Sequence, residues 1–156
     1  MADASVRRST EAELRRAKPF IKLMSKLNTW VFEASGGRLG AKFLRGAPVG
    51  LLTTTGRRSG TPRTTPLIYL ADAGRIVLVA SQGGLPRHPL WYENLAANPD
   101  VAFRTRAGER RYRARTADAA EKAALWPRLV AIYRNYDDYQ KRTDREIPVV
   151  VLEPAA

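Results

Sequence analysis

Cysteine is absent from this chain, which excludes disulfides, thiolate nucleophiles, iron–sulfur clusters and cysteine-bound zinc. Histidine occurs once, as His88, too few for a multi-histidine metal site. The acids show no paired metal-ligand spacing either, so no metal is expected. Negative charge is scarce: 15 Asp and Glu stand against 27 Lys and Arg, a formal charge of +12. No stretch approaches the roughly 20 apolar residues a spanning helix needs. The start "MADASVRRST" is polar with no apolar run behind it, so it does not read as a signal peptide. The expectation is a cytoplasmic protein with no transmembrane segment. What the chain does have is 156 residues, 44% of them apolar, enough for one core and one domain.

Surplus positive charge suits a nucleic acid, an anionic membrane or a highly anionic small molecule, and charge alone does not choose among them. An acid-free expression of it is "TTTGRRSGTPRTTP", residues 53–66, which holds Arg57, Arg58 and Arg63 with no large apolar residue. Gly56 and Gly60 let backbone N–H groups approach a ligand, and guanidiniums bind phosphate or carboxylate through paired donors. The plain alternative is a solvated basic turn. "GRRSG" lacks the lysine and following hydroxyl of a P-loop.

Residues 1–9 read as disordered, and 10–34 as an amphipathic helix opened by a capping box at Thr10 and Glu13. Its apolar stripe (Phe20, Leu23, Met24, Leu27, Trp30) beside Arg15, Arg16, Lys18, Lys22 and Lys26 suits a membrane interface as well as a core. The remainder, 48–156, reads as a barrel-like core. "VGLLTTT", "RTTPLIYLA" and "RIVLVAS" are strands, the last so apolar that it is expected to be buried on both faces. "HPLWYENLAANP" is a short helix. "VAFRTR" and "RRYRART" form a hairpin. A helix follows Asp118, with Pro127 expected to kink it or begin a new one. "REIPVVVLEP" is the last strand. The class is α+β. About six mostly antiparallel strands with flanking helices close most naturally into a small barrel.

Three other clusters carry chemical potential. "SQGGLPRHPLWYENL" offers Ser81, a Gly83-Gly84 loop able to lie against a planar ligand, and Trp91 with Tyr92 opening a helix. Trp91 has a core reading beside this one. His88 is a candidate base, although no nucleophile motif accompanies it. Tyr133, Tyr136 and Tyr139, at i, i+3 and i+6, share a helical face and can wall an aromatic pocket or supply a proton. Arg104, Arg106, Arg111, Arg113 and Arg115 alternate with Phe103 and Tyr112 on the opposite strand face, which favours a solvated surface over a nucleic-acid surface.

Taken together, "GRRSGTPRTTPLIYL", "VLVASQGG", "HPLWYENLAANPDV" and "YRNYDDYQKRTDREIPVVVLEP" resemble, in order and spacing, the deazaflavin (F420)-dependent nitroreductase family. The resemblance implies a split β-barrel of the FMN-binding type. It also implies coenzyme F420, whose phosphate and polyglutamate tail answer the charge question. By resemblance, Arg57, Arg58 and Arg63 meet the phosphate and tail, and Pro66 and Leu67 form the strand under the cofactor. Ser81, Gln82, Gly83 and Gly84 form the loop beside the deazaflavin, and Trp91 and Asn94 belong to the helix closing the groove. Tyr133, Tyr136 and Tyr139 line the substrate pocket, near Ile68 and Tyr69. Ser81, Tyr133 and Tyr136 are the catalytic candidates. Gln82 stands where the family pattern has lysine, and Ile68 where it has an aromatic, leaving Tyr69 as the neighbour. These departures leave the cofactor class intact and bear on substrate range, nitroimidazoles included. The implied activity is hydride transfer from reduced F420 to a quinone or nitroaromatic acceptor, with peripheral membrane contact through the N-terminal helix and no nucleic-acid partner. The alternatives are an FMN-dependent reductase on the same barrel and a basic nucleic-acid-binding barrel without activity.

Overall fold

The structure is a computed structural model that describes residues 42–43 and 47–155. The expected disordered stretch 1–9 and amphipathic helix 10–34 lie outside the described residues. The strands are β1 (Lys42–Phe43), β2 (Ala47–Thr55), β3 (Pro62–Ile68), β4 (Leu70–Asp72), β5 (Arg75–Val79), β6 (Asp100–Thr105), β7 (Gly108–Thr116) and β8 (Val149–Pro154). Helices α1 (Leu90–Ala97), α2 (Ala119–Ile132) and α3 (Asn135–Arg142) and a 3-10 turn at Gln82–Gly84 complete the described elements.

The pairing order runs β2-β6-β7-β8-β5-β4, every pair is antiparallel, and β3 pairs with the other edge of β2. β3 and β4 are one chain segment interrupted only at Tyr69, whose N–H donates to the Pro48 carbonyl at 3.1 Å. The ends of the order are therefore the two halves of a single bent strand, and the sheet closes on itself. Counting that bent strand once gives six barrel strands, and the two-residue β1 pairs beside the start of β2. The closure has a gap. β4 uses its β5-side edge and β3 does not, so on the β3 side of Tyr69 the edge that faces β5 pairs with no described strand. Pro66, which has no N–H to donate, sits in this half-paired strand, where such a residue is tolerated.

Strand periodicity divides the core in two. Leu52, Ile76, Leu78, Phe103, Tyr112, Val150 and Leu152 fill the barrel, with Trp91 and Leu95 of α1 plugging one end. Val77, Val79, Val149 and Val151 face outward and are covered by Leu125 and Leu129 of α2, with Tyr133, Tyr136 and Ile147. β5 is thus buried on both faces, as its continuous apolar run implies. Each such side chain contributes on the order of 1.5–3 kcal/mol when removed from water. Gly50 lets the Phe103 ring lie across β2: a Cβ there would stand 2.4 Å from Phe103 Cε1.

The expected cap is present: Asp118 Oδ1 accepts from the Glu121 N–H at 2.8 Å. Pro127 does not begin a new helix, since α2 runs through it. Pro127 is exposed, so water can satisfy the carbonyl that loses its donor. The hairpin arginines are largely solvated, with pairs such as Arg113–Asp100 at 3.4 Å. Arg115 does more: it contacts Glu121 at 2.6 Å and Glu153 at 2.9 Å, tying the start of α2 to β8.

Candidate active site

Antiparallel order sorts the connections by end. β2, β5 and β7 run one way, and β3, β6 and β8 the other. The 56–61 turn after β2, the Ser81–Gly84 loop after β5, helix α1 and the 143–148 segment before β8 therefore gather at one end. The turns at 73–74 and 106–107 lie at the opposite end. Arg104 and Arg106 are thereby separated from the Arg57–Arg63 turn.

The basic turn is built on α1. Asn94, 8% exposed, accepts the Arg57 N–H at 3.1 Å and donates from Nδ2 to Thr54 Oγ1 at 3.2 Å. Both ends of its amide go to protein, so Asn94 positions the turn. Arg57 Nη2 contacts Glu93 Oε2 at 2.9 Å, which occupies that guanidinium. Arg58 and Arg63 are exposed and make no ion pair with the described residues. Arg63 stands opposite Thr54 in the β2–β3 register, beside the turn.

Across the split lies the 81–84 loop. Gln82 has φ +45°, Gly83 +65° and Gly84 +76°. The last two are not equivalent. A Cβ on Gly83 meets nothing within 4 Å, whereas one on Gly84 would stand 2.7 Å from the Tyr139 carbonyl oxygen. Gly83 lies open, and Gly84 is the seat of α3. Trp91, 7% exposed, packs in the barrel and anchors α1 there.

The three tyrosines meet, though not on one helix. Tyr133 caps α2 in extended conformation, and Tyr136 and Tyr139 follow on α3. The Tyr133–Tyr136 rings are 5.1 Å apart and the Tyr133–Tyr139 rings 6.1 Å. Tyr133 Oη accepts from Asn135 Nδ2 at 3.1 Å and lies 3.1 Å from Tyr139 Oη. Tyr136 is 5% exposed, yet its hydroxyl bonds to no described residue. Ser81 Oγ is in the same position. No sealed side-chain polar atom among the described residues lacks a partner. Burial raises the Tyr136 phenol well above its ordinary value. Burial, then the bond to Tyr133, pushes Tyr139 up to about 12. These phenols stay protonated at neutral pH and act as donors, not bases.

Ile68 packs with the tyrosine cluster. Tyr69 does not: it turns into the barrel, 5.2 Å edge-on from Phe103, because adjacent strand residues face opposite sides. Leu67 likewise turns inward, and Pro66 falls on the Ile68 side by the same alternation.

Residues 24–154 match the family model described as F420H(2)-dependent quinone reductase. The chain belongs to this family. An F420H(2)-dependent quinone reductase of Mycobacterium tuberculosis is 41% identical over 133 residues, covering 81% of this chain and 87% of that one. A solved F420-H2 dependent reductase superposes with a TM-score of 0.61 at 40% identity, over 68% of this chain and 94% of the other. The heme storage protein of Vibrio cholerae shares the fold alone, at a TM-score of 0.50 and 11% identity over 69% and 82% of the two chains.

Membership in the F420H(2)-dependent quinone reductase family makes the chain an oxidoreductase that uses coenzyme F420, and the residues present fit that cofactor. One edge of β3 pairs with no described strand. Arg58 and Arg63 make no ion pair with a described acid, which suits an anionic ligand. Among the described residues no cluster of His, Asp and Glu could hold a metal ion, and no helix is long and apolar enough to cross a membrane.

One residue of the site gave no signal in the sequence. Arg145 Nε donates to the Leu85 carbonyl at 2.9 Å, Nη1 to Ala80 at 3.2 Å and Nη2 to Ser81 at 2.7 Å. Its Nη1 also lies 3.1 Å from His88 Nδ1. A guanidinium only donates, so Nδ1 carries the lone pair and the imidazole proton is assigned to Nε2. Burial, then the Arg145 charge, lowers the His88 pKa below 6.5, with Glu93 opposing. With Nδ1 engaged by Arg145 and the proton on Nε2, neither ring nitrogen offers a free lone pair in this arrangement.

Between that lowered value and 6.5 the unfolded chain binds a proton that the folded chain does not. The stability His88 contributes is therefore complete above pH 6.5 and is lost as pH falls through the folded value. His88 is the sole histidine, so this window is clean. Urea midpoints measured from about pH 7.5 down to about 5 are expected to fall in the native chain and to flatten in His88→Gln. Equal slopes in both would remove His88 as the cause.

Proposed function

We propose that this protein transfers a hydride from reduced F420 to a quinone, with nitroaromatics as a second acceptor class, in the split between β3 and the loop after β5. The observation that carries the reading is the gathering of one edge of β3, the Arg58 and Arg63 side chains and the Ser81 and Tyr136 hydroxyls, none of which pairs with a described residue. When bound, reduced F420 supplies the hydride. Arg58 and Arg63 hold its anionic portion, with Arg57 held back by Glu93. Gly83 leaves the loop flat enough for a ring to approach, and Pro66 and Leu67 lie along the edge beneath it. Ser81 Oγ hydrogen-bonds the ring edge. Tyr133, with Tyr139 and Ile68, fixes the pocket wall in which Tyr136 Oη donates to the acceptor oxygen as negative charge develops there. Distant contacts to the anionic tail supply binding energy that orients the ring.

Titration of the apo-protein with F420 and, separately, with FMN tests the cofactor. Turnover with menaquinone and a nitroaromatic side by side tests the acceptor. Tight FMN binding without F420 binding overturns the reading. Contact of the basic stretch 10–34 with an anionic membrane belongs to the same reading, because it would bring the site to a lipid-soluble quinone; failure to sediment with anionic vesicles removes it.

Tyr136→Phe deletes an oxygen that no described residue holds, so the fold is expected to be unaffected. Turnover at saturating cofactor should fall about a hundredfold, with the cofactor dissociation constant unchanged. A variant that turns over within about twofold of the native rate takes the donor role away from Tyr136.

A further inference from the structure

We propose that Arg145 is the positioning residue of the cofactor loop, turning the amide N–H groups of Ser81 and Gln82 toward the split as a pair of donors for an electron-rich edge of the bound ring. The inference rests on the reading that this split takes F420.

The geometry follows from the peptide plane. A carbonyl and the N–H that follows it point in opposite directions. The Ala80 N–H donates to the Pro148 carbonyl at 2.9 Å, and the Ala80 carbonyl accepts from Arg145. Both groups therefore face the segment leading into β8. The next N–H, that of Ser81, faces the other edge of β5, where β3 lies unpaired. The Ser81 carbonyl is also held by Arg145, which sends the Gln82 N–H the same way. Neither N–H donates to another described residue. In a regular strand, successive carbonyls alternate between edges. Here two in a row are gathered by one guanidinium, and Ser81 adopts right-handed φ −79°, ψ −38° to allow it.

Two further observations agree. Gln82 sits at φ +45°, a conformation that costs a non-glycine residue about 1–2 kcal/mol and persists only where neighbours impose it. Arg145 itself is over-determined. Its carbonyl accepts from Gln140 Nε2 at 3.0 Å, and Gln140 Oε1 accepts from the Ile147 N–H at 3.0 Å and Lys122 Nζ at 3.1 Å. No described carboxylate pairs with the guanidinium, and burial lowers its pKa with nothing opposing. Its charge is spent on carbonyl oxygens, which leaves the far side of those peptides electropositive. Backbone donors presented in this way suit an anionic or carbonyl oxygen.

The test uses Arg145→Lys, which keeps the charge and cannot reach three carbonyls, and Arg145→Ala with added guanidinium ion. In the apo-protein, amide exchange at Gly84 and Leu85, whose N–H groups close onto Ser81 and Gln82, is expected to accelerate in Arg145→Lys ahead of the barrel strands. F420 affinity should fall about tenfold, and turnover at saturating cofactor should fall as well. Millimolar guanidinium should restore affinity to Arg145→Ala, and equal ammonium should not. A folded Arg145→Lys protein with native exchange at 84–85 and native F420 affinity overturns the proposal. So does exchange that rises uniformly with lost global stability. If the native protein binds no F420, the functional reading fails by itself, and the exchange comparison still decides whether Arg145 holds the loop.

Discussion

Replacing Arg58 and Arg63 together with alanine is expected to raise the F420 dissociation constant roughly a hundredfold, while turnover at saturating cofactor stays within about twofold. Both side chains are exposed and make no ion pair with the described residues, so their removal leaves no orphaned acid and little cost in stability. A charge-assisted bond to phosphate or carboxylate contributes about 1.5–3 kcal/mol when solvent is partly excluded, and less when the site stays wet. Two such contacts give the stated range. Arg57 predicts a smaller loss, because Glu93 already engages its guanidinium and its backbone, not its side chain, ties the turn to Asn94. The native affinity should also fall with salt more steeply than that of the double variant. Unchanged affinity in the double variant, with native salt dependence, would move the anionic portion of the cofactor away from this turn.

Gly84→Ala is expected to destabilise the protein by about 3 kcal/mol, against about 1 kcal/mol for Gly83→Ala. Both positions have positive φ, so both variants suffer the backbone strain. Only at Gly84 does the new methyl collide, at 2.7 Å from the Tyr139 carbonyl oxygen, 3.0 Å from Tyr139 Cα and 3.2 Å from Arg142 Cβ. Two of those atoms are backbone, so relief requires α3 to move. Tyr136 and Tyr139 would move with it, and acceptor turnover should drop more than cofactor affinity. Urea unfolding of the two variants side by side measures the difference. Equal costs would show that α3 is not seated on Gly84.

Much of this arrangement is legible in the sequence, for identifiable reasons. "RIVLVAS" is apolar without alternation because both of its faces are covered, and that pattern needs no partner to be read. The basic turn is conspicuous because acids are missing from it. Tyr133, Tyr136 and Tyr139 do converge, although the helix that their spacing implies is broken between the first and the second. The bend at Tyr69 was not legible. "RTTPLIYLA" has the pattern of one strand, and only the pairing of its halves with different neighbours, β2 and β5, divides it. The same alternation that defines a strand sends Ile68 to the tyrosines and Tyr69 into the barrel. Trp91 has a core reading and a site reading, and the burial of its ring fits the core reading. Arg145 was the least legible. Nothing in "TDREIP" distinguishes it from a solvated loop arginine, because its three carbonyl partners lie 60 to 65 positions earlier in the chain.

The segregation of chemistry to one end of the barrel has a practical corollary. The two-residue turns at Ala73-Gly74 and Arg106-Ala107 are exposed and lie at the other end from the basic turn and the 81–84 loop. Exposed loop tips of this kind accept inserted sequence most readily. The Arg106-Ala107 turn is therefore the place for an affinity handle, a fluorophore or a surface tether, and a molecule immobilised there would present its reactive mouth outward, away from the support.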